Sequence, residues 1–397
     1  MTGLLTVGSA VVLSVVVAAA HEARAADEVI QTKSGPVKVE RLASLDEPWG
    51  MTFLPDGRLL LTEKPGRLRT YADGRLSEPI GGLPRILYRD QGGLLDVEID
   101  PAFARNGLVY LYYTEAAEQQ PADARDTRDT RVGTGQDLQD NVLKGGAVAR
   151  GRLDGNQLRD VKVVWRQEPK MIGRNHFGGR LAFAPDGTLF ITSGDRQRFD
   201  PAQDAATNDG KVVRNNPDGS IPADNPFAKK QGARPDVWSL GHRNPLGAAI
   251  HPKTKALWIH EMGPKHGDEL NIPEPGQNYG WPVVSNGDNY DGTPIPDHAT
   301  RPDLAEPAEY WHPAISPSGF AFYTGSLFPE WGGNALIGGL SSEALIRLTL
   351  EGNKVKEEER IPMQRRIRDV AQAPDGAVLV LIDAKDGALL RVTPVQR

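Results

Sequence analysis

The sequence predicts an all-β fold, a six-bladed β-propeller with long inter-strand loops. Three observations carry that prediction: a turn-rich composition, a strand–turn–strand unit that recurs six times, and a repeat spacing that suits four-stranded sheets. The 43 Gly and 31 Pro among 397 residues make about 19% of the chain, against an ordinary ~12%, and no collagen period accompanies them. Chains so rich in turn formers favour many short strands over long helices.

The unit is an apolar run, a Pro-Asp-Gly-type turn and a second apolar run. Pro presets φ for the turn and Gly supplies positive φ, so the pattern is a hairpin with a mechanism. In chain order the copies are WGMTFLPDGRLLLTEKPGRLR from Trp49, LLDVEIDPAFARNGLVYLYYTE from Leu94, GRLAFAPDGTLFITSGD from Gly179, GAAIHPKTKALWIHEMG from Gly247, a degenerate GFAFYTGSLFPEWGGNALIGGLSSEALIRL from Gly319, and DVAQAPDGAVLVLIDAKDGALLRV from Asp369. Their turn prolines are Pro55, Pro101, Pro185, Pro252, Pro329 and Pro374. Pro55 and Pro101 stand 46 residues apart, and Pro329 and Pro374 stand 45 apart. Sheet repeats of roughly 40–50 residues are the mark of propeller blades. One four-stranded sheet cannot bury both faces alone, whereas a ring of sheets packs each on the next. The other spacings, 84, 67 and 77 residues, imply loops inserted between strands. A double-sheet sandwich with the same turns is the competing architecture, and the repeat spacing argues against it.

Two inserts stand out. Residues 117–142 are polar, charge-rich and poor in apolar side chains, and read as a solvated loop. Residues 261–313 are rich in Gly, Pro, Asn and Tyr. They are expected to run from one blade to the next and, as a long ordered loop, to carry function.

The formal net charge is −6, which excludes the basic face that nucleic-acid binding by counterion release requires. Cysteine is absent, so thiol nucleophiles, iron–sulfur clusters, thiolate zinc sites and disulfides are excluded together. Residues 3–20 carry no charge and are followed by Ala23-Arg24-Ala25. This reads as a secretory signal peptide over residues 1–25, with residues 26–397 forming a single exported propeller, periplasmic or secreted. An uncleaved anchor is the alternative, since 18 apolar residues nearly span a bilayer. No later stretch is apolar enough to do so, so no membrane span is expected in the mature chain.

Four segments bear chemistry. His176, in RNHFGGR, and Asp195, in TSGDR, stand 19 residues apart across one hairpin. A carboxylate there can fix the tautomer of an imidazole base, although a satisfied loop histidine would look the same. Arg243 and Asn244, in SLGHRNP, can bind a carboxylate or a polarised carbonyl, or stabilise a turn. The segment HEMGPKHGDELNIPEPGQNYGWP gathers Glu261, Asp268 and Glu269 among Gly and Pro, a donor set that suits calcium. Arg366 and Arg368, in RRIRDV, share one side of a strand and need an anion or solvent. A P-loop, a G-x-G-x-x-G fingerprint after a strand, a G-x-S-x-G elbow and H-E-x-x-H are all missing, which removes the usual anchors of nucleotide, hydrolase and zinc chemistry.

Taken together, DQGGLLDVEIDPAF, NHFGGRLAFAPDG, SLGHRNP, EMGPKHGDELN with NYGWP, and RRIRDV resemble the soluble PQQ-dependent aldose sugar dehydrogenases, including the soluble glucose dehydrogenases. The resemblance runs from about Leu45 to Pro394 and implies a six-bladed propeller. It also implies roles. His176 resembles the general base that takes the proton of the anomeric hydroxyl, with Asp195 orienting it. Arg243 and Asn244 resemble the pair beside the quinone carbonyls. Gln91 matches the glutamine near base and substrate. Arg366 and Arg368 resemble the grip on the PQQ carboxylates. One calcium on the quinone matches the carbonyls of Gly263 and Pro264, and a second, structural one matches Glu269 and the carbonyl of Tyr279, with Asp268 as a further ligand. The implied partners are an aldose and an external electron acceptor. One departure is notable: Ser341 or Ser342 stands where the family often has a lysine, which implies one cationic contact fewer. A calcium-dependent lactonase-type hydrolase and a non-enzymatic glycan-binding propeller are the rival functions.

Overall fold

The structure is a computed structural model and describes residues 28–123 and 140–395. The expected signal peptide and most of the 117–142 insert lie outside the described residues. The strands form six antiparallel sheets. Blade 1 is Pro48–Phe53, Leu59–Glu63, Arg67–Ala72 and Arg75–Leu76. Blade 2 is Leu94–Ile99, Leu108–Ala116, Leu143–Asp154 and Gln157–Arg166, with Met171–Ile172 added at its third strand. Blade 3 is Gly178–Phe183, Leu189–Ser193, Lys211–Asn215 and Val237–Leu240. Blade 4 is Pro245–Ile250, Leu257–Glu261, Asp268–Asn271 and Glu309–Trp311. Blade 5 is Pro317–Phe322, Ala335–Gly339, Ala344–Glu351 and Lys354–Pro362.

Blade 6 takes Ile367–Gln372, Val378–Ile382 and Gly387–Pro394 from the end of the chain. It takes Gly35–Leu45 and Glu28–Thr32 from the beginning. This closure joins the two ends of the chain in one sheet, and the hairpin pattern alone did not reveal it. The first strand of each blade contacts the first strand of the next, all the way round, so the ring is complete.

Every turn proline lies between the first and second strands of its blade. Three of these prolines, Pro55, Pro185 and Pro374, open P-D-G turns that share one geometry. Leu54 N–H donates to Arg58 O, Ala184 N–H to Thr188 O and Ala373 N–H to Ala377 O, each at 2.8 Å. Asp56, Asp186 and Asp375 each accept the N–H two residues on, the side-chain bond that makes Asp a turn former. Second strands such as LFITS at Leu189–Ser193 and VLVLI at Val378–Ile382 are buried throughout, and that of blade 2 is buried except at its ends. A strand covered on both faces by neighbouring sheets reads as a continuous apolar run rather than an alternation.

Residues 261–313 differ from expectation. They do not link two blades. Asp268–Asn271 and Glu309–Trp311 within them are the third and fourth strands of blade 4, and the excursion is residues 272–308. Pattern reading missed these strands because each is only four or three residues long.

Since the P-D-G turns join first to second strands at one end of the ring, chain reversal puts the segments that enter first strands and the loops that join second to third strands at the opposite end. His176, Asn244 and Arg366 enter first strands there. Lys64, Asp195, Gly263 and Asp383 leave second strands there. Beneath them, Arg180 ties the ring together. It pairs with Asp96 of blade 2 at 3.1 Å and Asp369 of blade 6 at 3.0 Å, donates to Leu246 O of blade 4 and Arg368 O of blade 6, and lies 4.2 Å over the Trp49 ring of blade 1.

Candidate active site

A cavity of about 210 Å³ opens at this end of the ring, lined in part by Trp49, Lys64, Gln91, Asn244, Arg366 and Arg368. His176 is 6% exposed, and Phe177, Gly178 and its partner Gln91 form the adjoining wall. Its backbone sits in the left-handed region, φ 56°. Strain of this kind on a non-glycine residue persists where the surroundings fix it. Here the His176 N–H donates to Gln91 Oε1 at 2.9 Å, and the His176 carbonyl accepts Arg196 N–H at 3.3 Å.

His176 Nδ1 lies 2.7 Å from Asp195 Oδ1. That oxygen also accepts Gln197 N–H at 2.8 Å, and Oδ2 accepts the Trp281 indole N–H at 2.7 Å. Burial pushes the Asp195 carboxyl up, but the charge and hydrogen bond of His176 and the charge of Arg243 outweigh burial and hold it below its ordinary value. An ionised Asp195 takes the Nδ1 proton as a hydrogen bond. The basic lone pair of a neutral His176 is then on Nε2.

Arg243 and Asn244 enter the first strand of blade 4. Arg243 Nη1 donates to Met262 O at 2.9 Å and Gly263 O at 2.6 Å, and its guanidinium lies 5.2 Å from the Trp281 ring and 5.9 Å from the Tyr290 ring. Its Nε is buried with no hydrogen-bond partner. Asn244 Oδ1 accepts Gly178 N–H at 3.1 Å.

Arg366 and Arg368 do meet an anion, and it is internal. Asp383 Oδ2 accepts from Arg366 at 3.1 and 3.0 Å, and Oδ1 accepts from Arg368 at 3.0 and 2.7 Å. Asp383 follows the second strand of the same hairpin whose first strand begins between the two arginines, so the chain reversal at Pro374 returns it beside them, and sequence reading passed it over. Ser341 Oγ contacts Ala314 O at 3.5 Å and carries no charge to the mouth. Lys64, which sequence reading passed over, lines the cavity instead.

The acidic segment folds beside Arg243. Glu261, Gly263, Glu269 and Tyr279 line a small pocket of about 10 Å³. Glu261 Oε1 accepts His242 Nδ1–H at 2.8 Å and Asn271 Nδ2–H at 3.1 Å, while Asn271 Nδ2 also donates to Glu269 at 3.1 Å. His298 Nε2 is 3.1 Å from the other Glu269 oxygen. Burial, with the Glu261 charge adding to it, raises the Glu269 carboxyl. Asn271 Oδ1 is buried with no partner. Asp268 does something different. Its Oδ1 accepts Gly263 N–H at 2.9 Å and its Oδ2 accepts Ile315 and Ser316 N–H, each at 2.7 Å. It ties two loops of the mouth together, and burial pushes its carboxyl up to about 6. Gly263 is buried and its carbonyl faces Arg243. Pro264 follows it on the same loop. Among the described residues no three His, Asp or Glu side chains cluster as a metal site, so any cation here would depend on carbonyl and amide oxygens as well.

The site therefore joins an oriented imidazole, a buried arginine and a cationic mouth on one propeller face. The sequence pattern of the family described as Glucose / Sorbosone dehydrogenase matches residues 45–391. The aldose sugar dehydrogenase YliI of Escherichia coli (strain K12) is 42% identical over 367 residues, covering 90% of this chain and 93% of that one. A crystal structure of a glucose dehydrogenase superposes with a TM-score of 0.82 at 43% identity, covering 90% of this chain and 99% of that one. The PQQ-bound aldose sugar dehydrogenase of Streptomyces coelicolor superposes with a TM-score of 0.69 at 26% identity, covering 90% and 98%. With the family pattern running from blade 1 to the closing sheet, this propeller belongs to the glucose / sorbosone dehydrogenase family.

Proposed function

We propose that this protein oxidises the anomeric hydroxyl of aldose sugars to lactones, with calcium-bound PQQ as cofactor and an external acceptor for the electrons. The observation that carries the reading is the His176–Asp195 pair at 2.7 Å beside a cavity walled by Arg366 and Arg368. The residues fit the cofactor. Two arginines at the mouth suit carboxylates. Arg243 Nε, buried without a partner, is a donor waiting for an acceptor, because such groups are costly to leave unpaired. The chemistry of the acidic pocket fits calcium: Glu261, Glu269 and Tyr279 line it, Glu269 and the Tyr279 carbonyl are the proposed oxygen ligands, and a cation there would offset the repulsion between Glu261 and Glu269. The carbonyls of Gly263 and Pro264 are the proposed ligands of the calcium nearer the cofactor.

PQQ, when bound, supplies a two-electron acceptor for the hydride that leaves the sugar carbon. His176 Nε2 takes the hydroxyl proton as that bond breaks, and Asp195 holds the ring and stabilises the imidazolium. Arg243 and Asn244 supply charge and hydrogen bonds where negative charge grows. Trp281, which donates to Asp195 at 2.7 Å, stacks on Phe199 at 5.4 Å and places a buried aromatic ring beside the dyad. Export to the periplasm or beyond fits the leader-like residues 1–25, and among the described residues no helix is long and apolar enough to cross a membrane.

The test is dye reduction by purified protein supplied with PQQ, calcium and simple aldoses. Reduction is expected with at least one aldose, and His176→Ala lowers it at least ~10²-fold, the usual size of a general base, while PQQ binding persists. No reduction with any aldose overturns the reading. Lactone hydrolysis without PQQ would favour a lactonase, for which the Arg366–Arg368 pair has no use.

A further inference from the structure

We propose that Lys64 is a third cation of the cofactor mouth, held in place by Glu47 and Tyr88 to engage a carboxylate of PQQ. The inference rests on the cofactor assigned above and adds a residue that neither the motifs nor the comparisons supply.

Lys64 leaves the second strand of blade 1 and lines the same cavity as Arg366 and Arg368. Its Nζ lies 2.6 Å from Glu47 Oε2, and the other oxygen of Glu47 accepts the Tyr88 hydroxyl at 2.7 Å. The ammonium also lies 5.7 Å from the Tyr88 ring. Two side chains, Glu47 and Tyr88, thus fix one ammonium at the cavity wall. The room for it is built in as well. A Cβ at Gly93 would meet Lys64 Cγ at 2.6 Å and Lys64 O at 2.2 Å, so the lysine stem crosses the chain where a side chain is absent.

The arrangement is costly for a salt bridge of no further use. Glu47 sits at φ 47°, a conformation that non-glycine residues adopt at a cost. An ion pair that keeps some contact with solvent, as this one does, returns little stability. Backbone bonds hold Glu47 there: its N–H donates to Ala384 O at 2.9 Å, and its carbonyl accepts Lys64 N–H at 2.8 Å. Ala384 follows Asp383, the carboxylate that clamps Arg366 and Arg368. One short run of backbone contacts therefore sets all three cations in a common frame. Three cations face two resident carboxylates, Asp383 and Glu47, which leaves the mouth one positive charge in excess. A polycarboxylate is the ligand such a mouth selects.

The experiment titrates apo-protein with PQQ in the presence of calcium, following the quenching of tryptophan fluorescence, with Trp49 in the cavity wall. Wild type, Lys64→Gln and Lys64→Arg are compared at several salt concentrations. Lys64→Gln is expected to raise the Kd for PQQ roughly tenfold at low salt, the size of one charged hydrogen bond, with a shallower salt dependence. Lys64→Arg restores most of the affinity. Thermal melting of the apo variants checks that the fold is kept. If wild type binds PQQ and Lys64→Gln binds it equally well with the same salt dependence, the inference is overturned and the cofactor reading stands. If wild type does not bind PQQ at all, both fall.

Discussion

The indole N–H of Trp281 donates to Asp195 Oδ2 at 2.7 Å, across 86 residues of sequence. The bond fixes the carboxylate that orients His176, and it comes from the excursion in blade 4 rather than from the blade that carries the dyad. Trp281→Phe keeps the ring and removes the donor. It is expected to lower the turnover of sugar oxidation roughly 3- to 30-fold, the effect of about 1–2 kcal/mol. With Asp195 less neutralised, the His176 imidazolium is favoured, and the acidic limb of the rate profile moves to higher pH. A rate–pH profile of the two proteins checks it; coincident limbs would remove Trp281 from the positioning of the dyad.

Asp195→Asn tests the dyad itself. The amide cannot accept the Nδ1 proton as an anion does, so the favoured tautomer is lost. Turnover is expected to fall at least ~10²-fold, with the Kd for PQQ changed by less than about threefold. A loss of cofactor binding equal to the loss of turnover would assign Asp195 to the fold instead.

Arg180 separates two buried carboxylates, Asp96 and Asp369, that no other cation pairs with among the described residues. Burial, and after the opposing pull of Arg180 the charge of Asp96, lift the Asp369 carboxyl to about 6. A raised carboxyl in the folded state means that the folded state holds more protons, so this group's contribution falls as pH rises from about 4 towards 6. Arg180→Met leaves both charges unpaired and is expected to cost about 3–5 kcal/mol at neutral pH. Urea unfolding should show the deficit shrinking at pH 5, where the carboxyls can protonate. An equal deficit at both pH values would contradict the assignment.

Asp383 has the opposite sign. Burial raises its carboxyl, but the charges and hydrogen bonds of Arg368 and Arg366 outweigh burial and hold it low. Its stabilising contribution is therefore present above the ordinary carboxylate value and is lost as pH falls through the lowered one. Asp383→Asn is expected to melt a few degrees below wild type at pH 7, and the two melting temperatures should converge below about pH 4. Because the variant no longer competes for the two arginines, it should bind small polycarboxylates more tightly at low salt, measurable by calorimetry.

Tyr290 is 52% exposed and its ring lies 5.9 Å from the Arg243 guanidinium. An aromatic face there suits the apolar side of a pyranose ring. Tyr290→Ala is expected to raise the KM for aldoses several-fold with little change in turnover, the mark of lost ground-state binding. A fall in turnover at unchanged KM would place the ring elsewhere in the cycle.

The sequence by itself determined the repeating hairpin and the count of blades. Each rests on local chemistry: Pro, Asp and Gly make the same turn wherever they stand between apolar runs, as the shared geometry at Pro55, Pro185 and Pro374 demonstrates. His176 and Asp195 were legible together because one hairpin returns the chain to its starting end. Tertiary structure decided the rest. Trp281 and Lys64 reach the site from other blades, Asp96 and Asp369 meet Arg180 across the ring, and Glu28–Thr32 and Gly35–Leu45 close the ring with the far end of the chain. Such pairings are fixed by which blade packs beside which. A carboxylate distant in sequence becomes the counter-ion of an arginine only when the ring has closed and excluded the water that would otherwise serve both.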